Sequence, residues 1–198
     1  HPAHPHTPPL PHAHAPPEKL IGAVCHGPAA LATVVLPGGT PFLAGKPVTG
    51  FSNEEELFLI PEAAGIFPFL LEDRLRERGA QVAVGLPYLE NIAVADGLVT
   101  GQNPWSVYAT AETMVEQLGY EPVPRDATGD ENSVDVLMQY HLLGKIGARE
   151  SIDAFAEGDA RINRNLIIMH GVLAAMQWRV KSALELFVLA QHAKSAYA

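Results

Sequence analysis

The only cysteine of the chain, Cys25, stands directly before His26 in the run Ile21-Gly22-Ala23-Val24-Cys25-His26-Gly27-Pro28. A thiolate is a strong nucleophile, and an adjacent imidazole is the side chain suited to move its proton near neutral pH. The flanking pattern places this pair at a bend. Ile21–Val24 is a short apolar run that reads as a strand, and Pro28 sits at the favoured first turn of an Ala-rich helix reaching about Val35. Ala23 and Gly27, two residues before and two after Cys25, are the small residues a nucleophile elbow needs to bend tightly. A thiol beside a helix N-terminus is expected to lose its proton more readily, because unpaired N–H groups and the positive dipole end favour the thiolate. Spacing alone also allows the commonest role of a buried cysteine, that of a small core hydrophobe.

A third member is available among the acids of Ser52-Asn53-Glu54-Glu55-Glu56. Ser52 or Asn53 reads as a helix N-cap, and acids in the first turn suit the dipole. Spacing does not choose among Glu54, Glu55 and Glu56, and three glutamates are equally explained as a solvated helix start.

The elements that must position these groups alternate. Residues 19–24 read as a strand, and Lys46–Phe51 as a second short strand. Phe67–Gly79 reads as an amphipathic helix with Leu71 and Leu75 four apart, and Gln81–Val84 as a strand. Ile92–Ala95, Asp96-Gly97 and Leu98–Thr100 form the strongest hairpin signal, since Asp-Gly suits the turn that matches strand twist. Asn103-Pro104-Trp105-Ser106 opens a helix to about Leu118, closed by Gly119. The alternation from Glu18 to Gly119 argues for an α/β sandwich around a largely parallel sheet.

Residues 120–127 read as a linker. Thr128-Gly129-Asp130-Glu131 has capping-box spacing and predicts a helix over 132–146. Gly158-Asp159 marks a turn, with Asp159 as the cap of a second helix of about 35 residues, on the order of 50 Å long. Its apolar line, Ile162, Leu166, Met169, Leu173, Met176, Val180, Leu184 and Phe187, has the three-and-four spacing of a coiled-coil seam. The two helices are expected to pair as a hairpin. His141 and His170 fall on apolar faces and read as packing histidines rather than ligands.

Residues 1–17 hold seven of the 17 prolines and five of the nine histidines, which predicts a tail without packed structure. His4, His6, His12 and His14 could chelate a divalent ion loosely, or the segment is simply a tail. The chain thus divides into residues 1–17, an α/β part over 18–119 and a helical extension over 120–198.

Cys25-His26-Gly27-Pro28 resembles the elbow of the ThiJ/PfpI superfamily, the class I glutamine-amidotransferase-like proteins. Val48-Thr49-Gly50-Phe51-Ser52-Asn53-Glu54-Glu55-Glu56 and Leu98-Val99-Thr100-Gly101-Gln102-Asn103-Pro104 are similar to two further signatures, of the branch of heat-shock chaperone-like, glutathione-independent glyoxalases (glyoxalase III). The resemblance covers about residues 19–119. It implies a flavodoxin-like α/β sandwich, here partial, followed by the C-terminal helical hairpin, and commonly a homodimer. It implies catalytic roles for Cys25, His26 and Glu56, a small aldehyde substrate such as methylglyoxal, and no metal or other cofactor. Family members carry roughly half their domain before the elbow, so the chain is expected to correspond to the C-terminal part of a member and to be catalytically poor. A cysteine peptidase or amidase uses the same parts, and a non-catalytic, self-associating or chaperone-like module is the reading from a different class.

Composition narrows the classes further. The formal net charge of −9 argues against a nucleic-acid binder. The uncharged stretch Asn165–Trp178 is too short to span a membrane, which takes about 20 residues. One cysteine permits no internal disulfide and fits a reducing cytoplasm.

Overall fold

The computed structural model describes residues 19–197. The Pro/His-rich segment and its histidines lie outside the described residues.

The fold is mixed α/β, with strands and short helices up to Gly119 and long helices after it. Strand β1 (Ile21–Val24) runs parallel to β5 (Leu98–Gly101), with Ile21 opposite Leu98 and Val24 opposite Gly101. β5 is also the second arm of the expected hairpin. It pairs antiparallel with β4 (Ile92–Ala95), and Ala95 stands opposite Leu98 across Asp96-Gly97. Gly97 has φ 68°, a conformation that a residue with a Cβ enters only at a cost. A separate parallel pair joins β2 (Pro47–Val48) to β3 (Gln81–Val82). Both are shorter than the runs in the sequence suggest. The order β1-β5-β4 puts β1 at the edge of its sheet among the described residues, not at its centre.

Small residues let a helix lie on this sheet. A Cβ on Gly22 would fall 2.2 Å from Met114 Sδ of α5 (Val107–Gln117), and one on Gly101 would fall 2.5 Å from Thr110 Oγ1 of the same helix. α5 follows a 3-10 turn (Pro104–Ser106), whose cap is the Asn103 side chain accepting from Trp105 N–H.

Several helices differ from the sequence expectation. The helix after the elbow, α1, spans only Pro28–Leu31, because the β-branched Thr33-Val34-Val35 run leaves it and Val35 bridges to Pro41. Ser52, not Asn53, caps α2 (Asn53–Leu59). The predicted helix over 67–79 begins only at Leu71, as α4 (Leu71–Glu77), and a separate turn of helix, α3 (Ala63–Ile66), precedes it.

The Thr128–Glu131 capping box is present, with Thr128 N–H donating to Glu131 Oε2 at 2.7 Å. It opens α6 (Gly129–Glu157), which bends at Gly144, where φ 72° and ψ −165° leave the helical region. Asp159 caps nothing, since it stands in the left-handed region with φ 55°. The cap of α7 (Arg164–Met176) is Asn163, whose side chain accepts from Asn165 N–H. The expected 35-residue helix is two: the chain turns at Trp178 (φ 59°) and returns as α8 (Val180–Ala196). The tightest helical pairing is therefore α7 with α8, against which α6 also packs.

That turn redistributes the expected seam. Leu166 is buried, but Met176, Val180 and Leu184 are exposed, and the packed line of α8 is Ala183, Leu186, Leu189, Ala190 and Ala193. His170 is buried as expected, whereas His141 is exposed and lies edge-on to the Tyr140 ring. Two apolar clusters result. One joins α6, α7 and α8 around Leu137, Ile152, Ile167 and Leu189; the other gathers Leu43, Val48, Phe51, Leu75, Tyr88 and Leu98. Met169 and Trp105 pack against both, so the helical extension rests on the α/β part.

Candidate active site

Cys25 occupies the sharp bend that its small neighbours suggest. Its φ of 60° is in the left-handed region, which a side-chain-bearing residue enters at roughly 1–2 kcal/mol. Three contacts hold the strained residue. Cys25 N–H donates to the Gly101 carbonyl at the end of β5 (2.9 Å), the Cys25 carbonyl accepts from Phe51 N–H (3.0 Å), and Gly27 N–H returns to the Val24 carbonyl (2.9 Å). A Cβ on Gly27 would sit 3.0 Å from that same Val24 carbonyl, a tight contact that glycine avoids.

The three residues named from the sequence meet in one line. Cys25 Sγ lies 3.3 Å from His26 Nδ1, and His26 Nε2 lies 2.5 Å from Glu56 Oε2. The acid is nearly buried, at 8% side-chain exposure, while the His26 side chain is 54% exposed and open to a ligand. The His26 ring leans on Phe51, centroids 4.7 Å apart, and Phe51 in turn meets Tyr88 edge-on. An imidazole bonded at both nitrogens, with a carboxylate on the far side from sulfur, has the order of a thiol, a base and an orienting acid.

The thiol itself departs from the expectation. Burial pushes the Cys25 thiol above its ordinary value; the His26 backbone N–H, which points at the sulfur, opposes this, and the Glu55 and Glu56 charges add to the rise. A four-residue helix offers little dipole, and its first N–H groups turn inward: Gly27 to Val24, Ala29 to His26. The helix therefore does little to favour the Cys25 thiolate.

Glu54, Glu55 and Glu56 have three different fates. Glu54 is exposed and meets Gln177 Nε2 at 3.5 Å. Glu55 is fully buried and turns away from His26. Its Oε2 accepts from Ser52 N–H (3.0 Å), Ser52 Oγ (2.7 Å) and Gln102 Nε2 (3.0 Å), and its Oε1 from Tyr88 N–H (2.7 Å) and Asn103 Nδ2 (2.9 Å). The Tyr88 hydroxyl donates to the Glu55 carbonyl (2.7 Å). This cluster of Ser52, Tyr88, Gln102 and Asn103 was not foreseen from the sequence. The Ser52-x-x-Glu55 spacing is a capping-box signal, and it assigns Glu55 to the cap and leaves Glu56, one position on, for the imidazole.

Among the described residues no group of histidines, cysteines and acids is placed to hold a metal ion, and no helix is long and apolar enough to cross a membrane.

An elbow cysteine, an adjacent histidine and a helix-borne glutamate thus meet beside an α/β sheet. The chain is 32% identical over 105 residues to the glutathione-independent glyoxalase HSP31 of Saccharomyces cerevisiae, covering 50% of this chain and 44% of that protein. It is 33% identical over 105 residues to the probable glutathione-independent glyoxalase hsp3103 of Schizosaccharomyces pombe, covering 50% and 40%. A crystal structure of glyoxalase III from Candida albicans aligns with TM-score 0.46 at 28% identity, over 50% of this chain and 43% of that one. No family model matches the chain. The resemblance to the glutathione-independent glyoxalases thus holds across half of the chain, and the chain spans less than half the length of the curated relatives it matches.

Proposed function

We propose that the chain carries the reactive centre of a glutathione-independent glyoxalase, converting 2-oxoaldehydes such as methylglyoxal to 2-hydroxyacids. The observation that carries the reading is the continuous line from Cys25 Sγ through His26 to Glu56, with contacts of 3.3 and 2.5 Å.

In this mechanism His26 Nδ1 takes the thiol proton as Cys25 Sγ adds to the aldehyde carbon, then gives it to the aldehyde oxygen, which yields a hemithioacetal and leaves the imidazole neutral. The developing oxyanion accepts a hydrogen bond from the His26 backbone N–H, the group already directed at the sulfur. His26 then removes the proton from the former aldehyde carbon and returns one to the neighbouring carbonyl carbon through an enediol. The two-electron oxidation of the first carbon is matched by reduction of the second, so no outside oxidant is needed. The product is a 2-hydroxyacyl thioester of Cys25, which water hydrolyses to release the acid and restore the thiol. Glu56 holds the ring in register for both proton transfers and balances its charge when it is protonated.

The exposed Met176, Trp178, Val180 and Leu184 support self-association through the α7–α8 hairpin, as in a homo-oligomer. A free, partly exposed Cys25 suits a reducing compartment such as the cytoplasm.

The test is lactate formation from methylglyoxal by the wild-type chain and by Cys25→Ala. Lactate that disappears with Cys25 supports the enzyme. Lactate at equal rates in both overturns the role of Cys25, and lactate in neither overturns the enzyme and leaves a non-catalytic module.

A further inference from the structure

We propose that Glu55 is the positioning residue of the Cys25–His26–Glu56 site, its buried carboxylate locking the helix turn that carries Glu56 to the loop that holds Cys25. This rests on the reading of those three residues as the reactive centre.

An interior carboxylate is costly unless its oxygens are satisfied. Glu55 is 0% exposed, and its five donors, from Ser52, Tyr88, Gln102 and Asn103, are all neutral. A capping box uses only the Ser52 contacts. The remaining donors come from two other segments, and both reach the reactive residues. Gln102 and Asn103 directly follow Gly101, whose carbonyl accepts the Cys25 N–H at 2.9 Å. Tyr88 is held at φ 57° with both its N–H and its hydroxyl ending on Glu55, and its ring supports Phe51, on which His26 leans.

Glu55 and Glu56 are consecutive residues of α2, so a shift of the first moves the second. One carboxylate therefore sets the separation of three supports: the backbone of Glu56, the carbonyl that pins Cys25, and the aromatic wall behind His26. A purely structural carboxylate would stabilise the fold without affecting how Cys25 and His26 communicate.

The experiment reads Cys25 directly, by its rate of iodoacetamide alkylation against pH, at a temperature where circular dichroism shows each variant folded. Glu55→Gln, Glu56→Gln, the double variant and wild type form a double-mutant cycle. Glu55→Gln is expected to change the rate at pH 8 by about threefold or more, half a pH unit in the profile. In the Glu56→Gln background that change should be clearly smaller, because the part carried through Glu56 is gone. An equal change in both backgrounds, as a through-space charge would give, overturns the proposal, and so does no change in wild type.

Ser52→Ala serves if Glu55→Gln does not fold. It removes one donor to Glu55 and alters no charge, so a changed profile in wild type that is clearly smaller in the Glu56→Gln background supports the proposal. An unchanged profile overturns it. Because alkylation is measured and not turnover, a chain that forms no lactate would count against the glyoxalase reading and leave this result separately readable.

Discussion

Glu56 Oε2 lies 2.5 Å from His26 Nε2, while the adjacent Glu55 in the same helix turn faces the opposite way and accepts from four other residues. The two acids share a helix start and differ in what they hold. Glu56→Gln keeps the size of the side chain and removes its charge, so His26 loses the partner that orients it. On the proposed glyoxalase reading, turnover of methylglyoxal is expected to fall about 10²-fold, the lower end of what a positioned acid–base group contributes. Steady-state lactate formation checks this, and a loss confined to KM would show that Glu56 acts on binding alone.

Cys25 should titrate high. Burial is the leading cause, and the Glu55 and Glu56 charges act in the same direction against the His26 amide. Alkylation of Cys25 near pH 7 is then expected to be slower than that of a small free thiol, and to climb through and beyond the ordinary thiol range near 8.5. The midpoint of the alkylation profile in the folded chain, compared with that of the chain in denaturant, gives the sign. A folded midpoint below the denatured one would restore the expectation based on the helix dipole.

His170 links the helical extension to the site by another route. It is 7% exposed, its Nε2 has no hydrogen-bond partner, and it sits against the backbone of Tyr88. Burial, opposed by the Tyr88 backbone contact and aided by the nearby His141, brings its pKa down to about 4. A histidine depressed in the folded state binds its proton more readily when unfolded, so stability declines as pH falls from about 6.5 towards 4. The gap corresponds to a loss on the order of 3 kcal/mol at the acid end. Urea unfolding at pH 7 and pH 4.5 should show the decline in wild type and a smaller one in His170→Leu.

How far the fold could be read in advance depended on whether a local signal stood alone. Asp96-Gly97 and the Ser52 and Thr128 caps are satisfied within a few residues, so nothing distant overrides them. The elbow was legible from Gly27, where a Cβ would crowd the Val24 carbonyl beside the left-handed Cys25. The break at Trp178 was not, since neither glycine nor proline marks it and the apolar spacing continues across it. Only tertiary packing of α7 against α8 distinguishes one long helix from two. The pairing of Glu55 with Tyr88, 33 residues away, likewise has no trace in local spacing.

The turn at Trp178 sets up a comparison between two leucines five residues apart. An unbroken helix would have placed Leu184 in a buried seam with Val180 and Phe187. In the folded chain Leu184 is 61% exposed, while Leu189 is 1% exposed and packs in the cluster shared by α6, α7 and α8. Leu189→Ala removes buried methyl groups and leaves a cavity, a change that costs about 2–5 kcal/mol. Leu184→Ala removes mostly solvated surface and should cost no more than about 0.5 kcal/mol in the monomer. Thermal melts at low protein concentration separate the two, because any self-association through the exposed face adds a concentration-dependent term. If Leu184→Ala proves as damaging as Leu189→Ala at low and high concentration alike, the chain does not reverse at Trp178.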